Sequence, residues 1–412
     1  MSTSVEDLVL RDSLAETATH LISFKTTASR FEKEATAGGP TTFDACLQWV
    51  QDHIRTCALD PQQITMRRFL AGGNAGKPSL LIWRGNRLPS VLMAGHLDVV
   101  ESSDVSAWKA LRRTGPCVSR PETTEQLVGR GAADMKGPVA ACLDIIETVR
   151  LPGLGLLLTC DEENGGHLGT RFVLETLQTE DHWLPEVIVL PDGGAGMRLI
   201  VEQKGLLRIH FAAQGKPTHA ARPWQGVNAL LIPIGGLELL KRVLPQPTAD
   251  EDPHLSITLT KLRSGGNALN AVPDLAEGTL DIRYAASGPS RNEIFSEIQA
   301  FMVSSARSNG GSIFLKEDKE VVALPFCLDP GNLWVDRLQR VAERSIHRRL
   351  PFSKEAGSSD ARFFAAAGIP GVLIFQPEGA GWHGDDEWVS LESLVTFHTL
   401  CTAFVQDALT GA

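Results

Sequence analysis

Short apolar runs alternate with helix-period stretches through the first half of the chain. Residues 80–83, 91–94, 155–159 and 187–190 are hydrophobic blocks bounded by polar or turn residues, the pattern of strands buried on both faces. Between them, 139–149 and 171–177 repeat apolar residues at helical spacing. That alternation predicts a layered α/β domain with a largely parallel sheet. Polar clusters follow these strands at their C-terminal ends: His96 and Asp98, then the acidic run 161–163, then Asp192. Open α/β sheets bind ligands at that edge.

From about residue 206 the pattern changes. Leu206, Arg208, His210 and Ala212 alternate in strand fashion, and helix-like runs cover 229–243 and 290–305. Strand-like runs cover 256–262, 279–283 and the neighbourhood of 313–315. Strand, helix, strand, strand, helix, strand is the order of a ferredoxin-like α+β domain, expected over 205–318. A helix at 333–346, a strand at 372–375 and a terminal helix from 391 then resume the α/β rhythm. The small domain is therefore expected to be inserted into a large one formed by 1–204 and 319–412, an arrangement tolerated when the ends of the insertion lie close together.

Composition narrows the functional classes. With 412 residues the chain suits two domains, and its 43% hydrophobic content is ample for packed cores. A net charge of -10 and a pI near 5.6 leave no basic footprint, which argues against nucleic acid or an anionic membrane as partner and for a small substrate. The N-terminal stretch mixes acids into an amphipathic pattern, so no secretory signal is expected. Apolar runs such as 154–158 fall far short of the roughly 20 residues a membrane span needs. The seven cysteines (46, 57, 117, 142, 160, 327 and 401) are scattered without a CxxC pair. They read as buried small residues of a protein in a reducing, cytoplasmic compartment, and they leave His, Asp and Glu as the ligands for any metal.

Five clusters carry candidate chemistry. In VLMAGHLDVV from residue 91, His96 and Asp98 share one face of an extended chain, so Asp98 is expected to hydrogen-bond the imidazole and fix its tautomer. Alone, the pair also fits a solvated strand end with a capping Asp. GRGAADMKG from residue 129 is a glycine-rich turn entering a helix whose first turn holds Pro138, and it presents Asp134. It lacks the spacing of either phosphate-binding glycine motif. In TCDEENGG from residue 159, consecutive acids after a buried strand repel one another unless a cation neutralises them, although a solvated acidic turn reads the same way. Asp192 in LPDGG and His383 in GWHGDDE each also fit a simple turn. Together His96, Asp134, Glu163, Asp192 and His383 supply two imidazoles and three carboxylates, enough for two divalent ions about 3.5–4 Å apart with one carboxylate bridging.

These motifs, in this order and spacing, resemble those of the M20 metallopeptidase family, which includes succinyl-diaminopimelate desuccinylases, acetylornithine deacetylases and carboxypeptidase G2-like enzymes. The similarity covers nearly the whole chain. It implies an aminopeptidase-like (phosphorylase/hydrolase-type) α/β catalytic domain with an inserted ferredoxin-like dimerisation or lid domain. Asp134 would bridge the ions, His96 and Asp192 would complete one site, and Glu163 and His383 the other. Asp98 would support His96, and Glu162 would be the general base. Many relatives carry Glu in a Gly-Glu-Pro context where this chain has Asp192. Asp also occurs there in the family, so metal binding remains implied while the narrower subfamily stays open.

The resemblance extends into the inserted segment. In GKPTHAARP from residue 215, His219 would stabilise the oxyanion of the partner subunit's site, where an exposed loop histidine is the plainer reading. Asn270 in 267–273 and Arg283 would bind a substrate carboxylate, Arg283 through its bidentate fork, although an ordinary strand arginine fits equally well. The turn Gly357, Ser358, Ser359 resembles a substrate-binding turn of the family, and no nucleophile-elbow motif surrounds its serines.

The implied reaction is hydrolysis of an N-acyl amino acid, or of a short peptide, by a water held between two ions and activated by Glu162. Zinc is the expected metal, and cobalt or manganese suit the same nitrogen and oxygen ligands. A homodimer is expected. The rivals are a catalytically silent relative that binds small molecules or partners, and a metal-free hydrolase using paired carboxylates.

Overall fold

The computed structural model describes residues 5–36, 40–72, 77–102, 104–118, 122–249, 251–265 and 268–411. Residue 267, at the start of the expected binding loop 267–273, lies outside them.

The chain divides into two compact units. The larger comprises 1–201, 328–353 and 359–412, and the smaller 202–327 with 354–358. The smaller unit is longer than the span 205–318 read from the sequence. Its last long strand runs on to Ala323, and the returning segment 354–358 joins it.

In the larger unit the sheet order is Ile64–Ala71, Lys77–Arg84, Leu154–Thr159, Val91–His96, Val187–Leu190, Gly371–Ile374, Leu199–Gln203. The four strands from Leu154–Thr159 to Gly371–Ile374 run parallel, and the flanking pairs are antiparallel. The sheet is therefore mixed at its margins, where a largely parallel one was expected. Every residue of those four strands is buried, which is why they appear in the sequence as unbroken apolar blocks instead of alternating ones. The helices Val5–Ser23, Lys136–Thr148 and Leu391–Thr410 pack on one another beside the sheet. Helix Lys136–Thr148 buries eleven residues, Lys136 and Pro138 among them.

A second, four-stranded sheet went unseen in the sequence: Gly379–Ala380, Trp388–Ser390, Thr123–Val128, Leu111–Pro116. Its outer strand Leu111–Pro116 exposes all but Gly115 and lacks an apolar face. No period-2 signal could reveal it.

The smaller unit has the expected order of strands and helices. Its sheet runs Ser256–Ser264, Leu275–Tyr284, Gly205–Gln214, Ser312–Ala323, all antiparallel. Along Gly205–Gln214 the odd-numbered residues are buried and the even ones point outward. Leu207, Ile209 and Phe211 form one core with Leu237 and Leu240 of helix Leu231–Val243 and with Ile294, Ile298 and Met302 of helix Arg291–Ser308. Ser290 and Glu293 cap the latter helix reciprocally.

Four cysteines (46, 142, 160 and 401) are buried as expected, but Cys57 and Cys327 are exposed and Cys117 is half-buried. Cys57 ends a helix on its outer side, and Cys327 sits in a two-residue strand. No helix among the described residues is long and apolar enough to cross a membrane.

Candidate metal centre

The parallel strands bring the first clusters together. His96, the last residue of its strand, pairs with Thr159 in the neighbouring strand, so His96 and the run 161–163 emerge at the same sheet edge. Val187–Leu190 is parallel to Val91–His96 on its other side and delivers Asp192 to that edge. Asp134 comes from the loop leading into helix Lys136–Thr148. His383 comes from the turn before strand Trp388–Ser390 and adopts a left-handed backbone, φ 63.

Two groups of ligand atoms result. His96, Asp134 and Asp192 offer atoms within 4.8 Å of one another, and so do Asp134, Glu163 and His383. Asp134 belongs to both. Its Oδ1 lies 3.0 Å from His96 Nε2, and its Oδ2 lies 3.4 Å from His383 Nε2. His383 Nε2 is also 3.4 Å from Glu163 Oε2. One carboxylate presents an oxygen to each group, as a bridging ligand must. The donors are imidazole nitrogen and carboxylate oxygen with no sulfur, a set that fits zinc, cobalt or manganese.

The tautomer of His96 is fixed, but by a different atom of Asp98 than expected. His96 Nδ1 donates to the backbone carbonyl of Asp98 at 2.9 Å, and the Asp98 carboxylate is 3.7 Å away. A carbonyl only accepts, so Nδ1 carries a proton and Nε2 is the nitrogen turned to Asp134, donating to its carboxylate in the ion-free chain and presenting its lone pair there to an ion once that proton is lost. The Asp98 carboxylate instead accepts from the backbone N–H groups of Glu162 (3.3 Å) and Glu163 (3.0 Å), anchoring the acidic turn. Burial, with Glu163 and Asp161 nearby, pushes Asp98 up to about 7 against the pull of His96 and Lys77.

The electrostatics are those of a crowded anionic site. Burial opposes the charge on Asp134, yet His383 and His96 hold its carboxyl well below the usual range. Hydrogen bonds that His383 donates to Asp134 and Glu163 raise it to about 10. A divalent ion competes for the same imidazole lone pair, so its binding there releases a proton. Glu162 is half-buried beside these groups. Burial, then Asp192, Asp360 and Glu163, push its carboxyl well above the usual range, with His96 opposing.

Several residues that shape this site escaped the sequence reading. Buried Lys77 donates to Asp161 Oδ1 at 2.5 Å, and Asp161 Oδ2 accepts from Leu168 N at 2.7 Å, so the acidic turn is pinned from below. Asp360 Oδ2 accepts from Thr170 Oγ1 at 2.5 Å. A Cβ on Gly166 would stand 2.1 Å from Asp360 Oδ1, so only glycine fits that close approach, and its φ of +67 favours glycine as well. Arg130 and Glu387, both buried, join the Asp134 loop to the His383 turn. Glu387 stands next to the apolar pair Trp388 and Val389. That position was the one available sign that it points inward while Asp385 and Asp386 do not.

In the smaller unit, His219 is exposed on a two-stranded ribbon, paired with Ala271. Its Nδ1 accepts from Ala221 N at 3.1 Å, and Ala220 N donates to the carbonyl of Asn270 at 2.8 Å, so His219 and Asn270 stand on one ribbon. Arg283 Nε donates to Asp281 Oδ1 of its own strand at 2.8 Å. Gly357 is exposed and half-buried Ser358 donates to the carbonyl of Lys204. Ser359 is buried and belongs to the larger unit.

Comparison with known proteins bears on this geometry. Residues 92–407 match Peptidase family M20/M25/M40. The chain is 29% identical over 390 residues to a succinyl-diaminopimelate desuccinylase of Halorhodospira halophila, covering 89% of this chain and 99% of that one. Its fold is similar to a tripeptidase of Staphylococcus aureus, with a TM-score of 0.72 at 16% identity over 97% of this chain and 99% of that one. It is also similar to a dinuclear metal-binding peptidase of Bacillus subtilis, with a TM-score of 0.64 at 14% identity over 98% of this chain and all (100%) of that one.

Proposed function

The chain belongs to peptidase family M20/M25/M40, whose members are hydrolases of amide bonds, and from that premise we propose that it removes the acyl group from an N-acyl amino acid. The observation that carries the proposal is the pair of ligand groups sharing Asp134, with Glu162 beside them. His96 and Asp192 would hold one ion with Asp134, and Glu163 and His383 the other, zinc being the metal in mind. Divalent ions bound there would lower the pKa of a coordinated water, polarise the scissile carbonyl and offset the repulsion among these carboxylates.

The protein's own groups supply the rest. Glu162 takes the proton from the attacking water as the oxygen–carbon bond forms. It then returns that proton to the nitrogen as the carbon–nitrogen bond breaks, so one carboxylate serves as base and then acid. Burial disfavours its charged form whether or not ions neutralise the neighbouring carboxylates, and a carboxylate so disfavoured takes a proton more readily. Asp98 keeps the turn carrying Glu162 and Glu163 in register with His96. In a homodimer His219 would donate to the oxyanion in the partner's site. Asn270 and Arg283 would bind a substrate carboxylate, and the 357–359 turn would take part in substrate binding.

The desuccinylase relatives favour a short dicarboxylic acyl group, and the tripeptidase-like fold keeps short peptides as the competing substrate. A hydrolysis screen with zinc or cobalt added, comparing acetyl, succinyl, formyl and aminoacyl donors, tests the reading. Turnover of acyl donors above aminoacyl ones is expected. Turnover of aminoacyl donors alone would make the enzyme a peptidase instead.

A further inference from the structure

The loop bearing Asp134 and the turn bearing His383 are far apart in sequence, yet they are held by one buried ion pair. Glu387 Oε1 accepts from Ala133 N and Asp134 N, each at 2.9 Å. Its Oε2 accepts from Gly131 N at 3.0 Å and Arg130 Nη1 at 3.1 Å. A carboxylate offers about four acceptor sites, and here all four are used, three of them by the backbone that presents Asp134. Gly131 needs its left-handed φ of +82 to turn its N–H into this cradle. Arg130 completes the link, because its Nη2 donates to the carbonyl of His383 at 3.1 Å. Gly129 N donates to the Glu387 carbonyl at 2.8 Å, so the two segments also meet through their backbones.

We propose that Arg130 and Glu387 are positioning residues that couple the two ion sites, Glu387 by fixing the Asp134 loop that both sites share and Arg130 by tying the His383 turn to that loop. The inference rests on the proposed function, and it assigns different consequences to the two residues. Losing the Glu387 cradle disturbs a ligand of both ions. Losing only the second hydrogen bond of Arg130 disturbs His383 and hence one ion.

Glu387→Gln keeps the shape but turns an NH2 toward backbone N–H groups, so one side of the cradle repels where it attracted. Arg130→Lys keeps the charge facing Glu387 but cannot also reach the His383 carbonyl, since an ammonium lacks the planar fork. Chelator-stripped wild type and both variants are titrated with Zn2+ alone by calorimetry, and each is melted with and without the ion. Zn2+ affinity of Glu387→Gln should fall at both sites by about 10–100-fold, the usual scale for outer-sphere partners of metal ligands, and its Zn2+-induced gain in Tm should shrink. Arg130→Lys should weaken one ion by that factor and leave the other. A merely structural role would lower the ion-free Tm and leave both affinities unchanged, and that result overturns the proposal. If Glu387→Gln does not fold, Arg130→Lys decides alone: two ions held as tightly as in wild type would refute the coupling. A wild-type chain that binds no Zn2+ refutes the proposed function itself, whereas a wild type with two ions and variants that hold the same two as tightly refutes only this inference.

Discussion

Glu162→Gln separates the base from the ligands. The substitution preserves volume, and the backbone N–H of residue 162 still donates to Asp98 Oδ1, so the short turn Glu162–Asn164 has no reason to move. Glu163, the proposed ligand, keeps its own backbone bond to Asp98 and its place 3.4 Å from His383. Burial and the neighbouring acids already press the Glu162 carboxyl toward its neutral form, so a neutral amide costs the ion-free fold little. The loss falls on proton transfer. General acid–base help is worth about 10²–10⁴-fold, which at about 1.36 kcal/mol per tenfold is about 2.7–5.4 kcal/mol of barrier. We expect kcat to drop within that range, KM to change little and the metal content by elemental analysis to match wild type. A variant within threefold of the wild-type rate, or one that loses an ion, would show that Glu162 is not the base but dispensable or a ligand.

Three further outcomes follow from neighbouring residues. Lys77→Ala strands the Asp161 carboxylate, 4% exposed, and should cost about 3–5 kcal/mol in urea unfolding, most of it recovered by pairing Lys77→Met with Asp161→Asn; no recovery would mean the pair is not what matters. Burial, with Asp144 nearby, raises Glu147 to about 8 from the ordinary 4.5 of a free glutamate, so between those pH values the fold holds a proton that the unfolded chain has released. Wild-type stability from this group is therefore lost as pH rises toward 8, and Glu147→Gln should gain on wild type by at most about 1.4 kcal/mol per pH unit over that window, where an unchanged difference would contradict the assignment. For His219, co-expressed Glu162→Ala and His219→Ala chains should recover roughly a quarter of wild-type activity, because about half of randomly assembled dimers are hybrids with one intact site of two. A purified hybrid as inactive as its parents, though folded and metal-loaded, would place His219 outside the partner's site.

How much of this could be read in the sequence depended on burial. Strands covered on both faces, such as Leu154–Thr159, announce themselves as apolar blocks, and the motif residues at their ends could be named before any coordinates. Strand Leu111–Pro116 could not, since its side chains face solvent. The candidate ligand groups were legible because each candidate sits at a strand end or in a short turn or loop with a distinctive neighbourhood. Their supports were not. Arg130, Lys77 and Glu387 are charged residues in polar-looking stretches, and their burial depends on partners 257 residues away for Arg130–Glu387 and 84 for Lys77–Asp161. The contact between His96 and Asp98 was foreseen in position but not in atom. Spacing brings the residues together, while local backbone geometry decides whether carbonyl or carboxylate meets the ring.

Two ions acting with Glu162 are the core of the proposed mechanism, and a metal titration followed by turnover tests them most directly. The chain is stripped with chelator, zinc or cobalt is added in steps, and hydrolysis of the best donor from the acyl panel is followed alongside bound metal. The account predicts no turnover in the stripped chain, activity that rises as ions bind and levels off at two per chain, and a Glu162→Gln variant that binds the same two ions yet stays at least a hundredfold slower, about the smallest loss expected for a missing base. Turnover that survives complete stripping, or a chain that holds two ions and hydrolyses none of the donors, would contradict it.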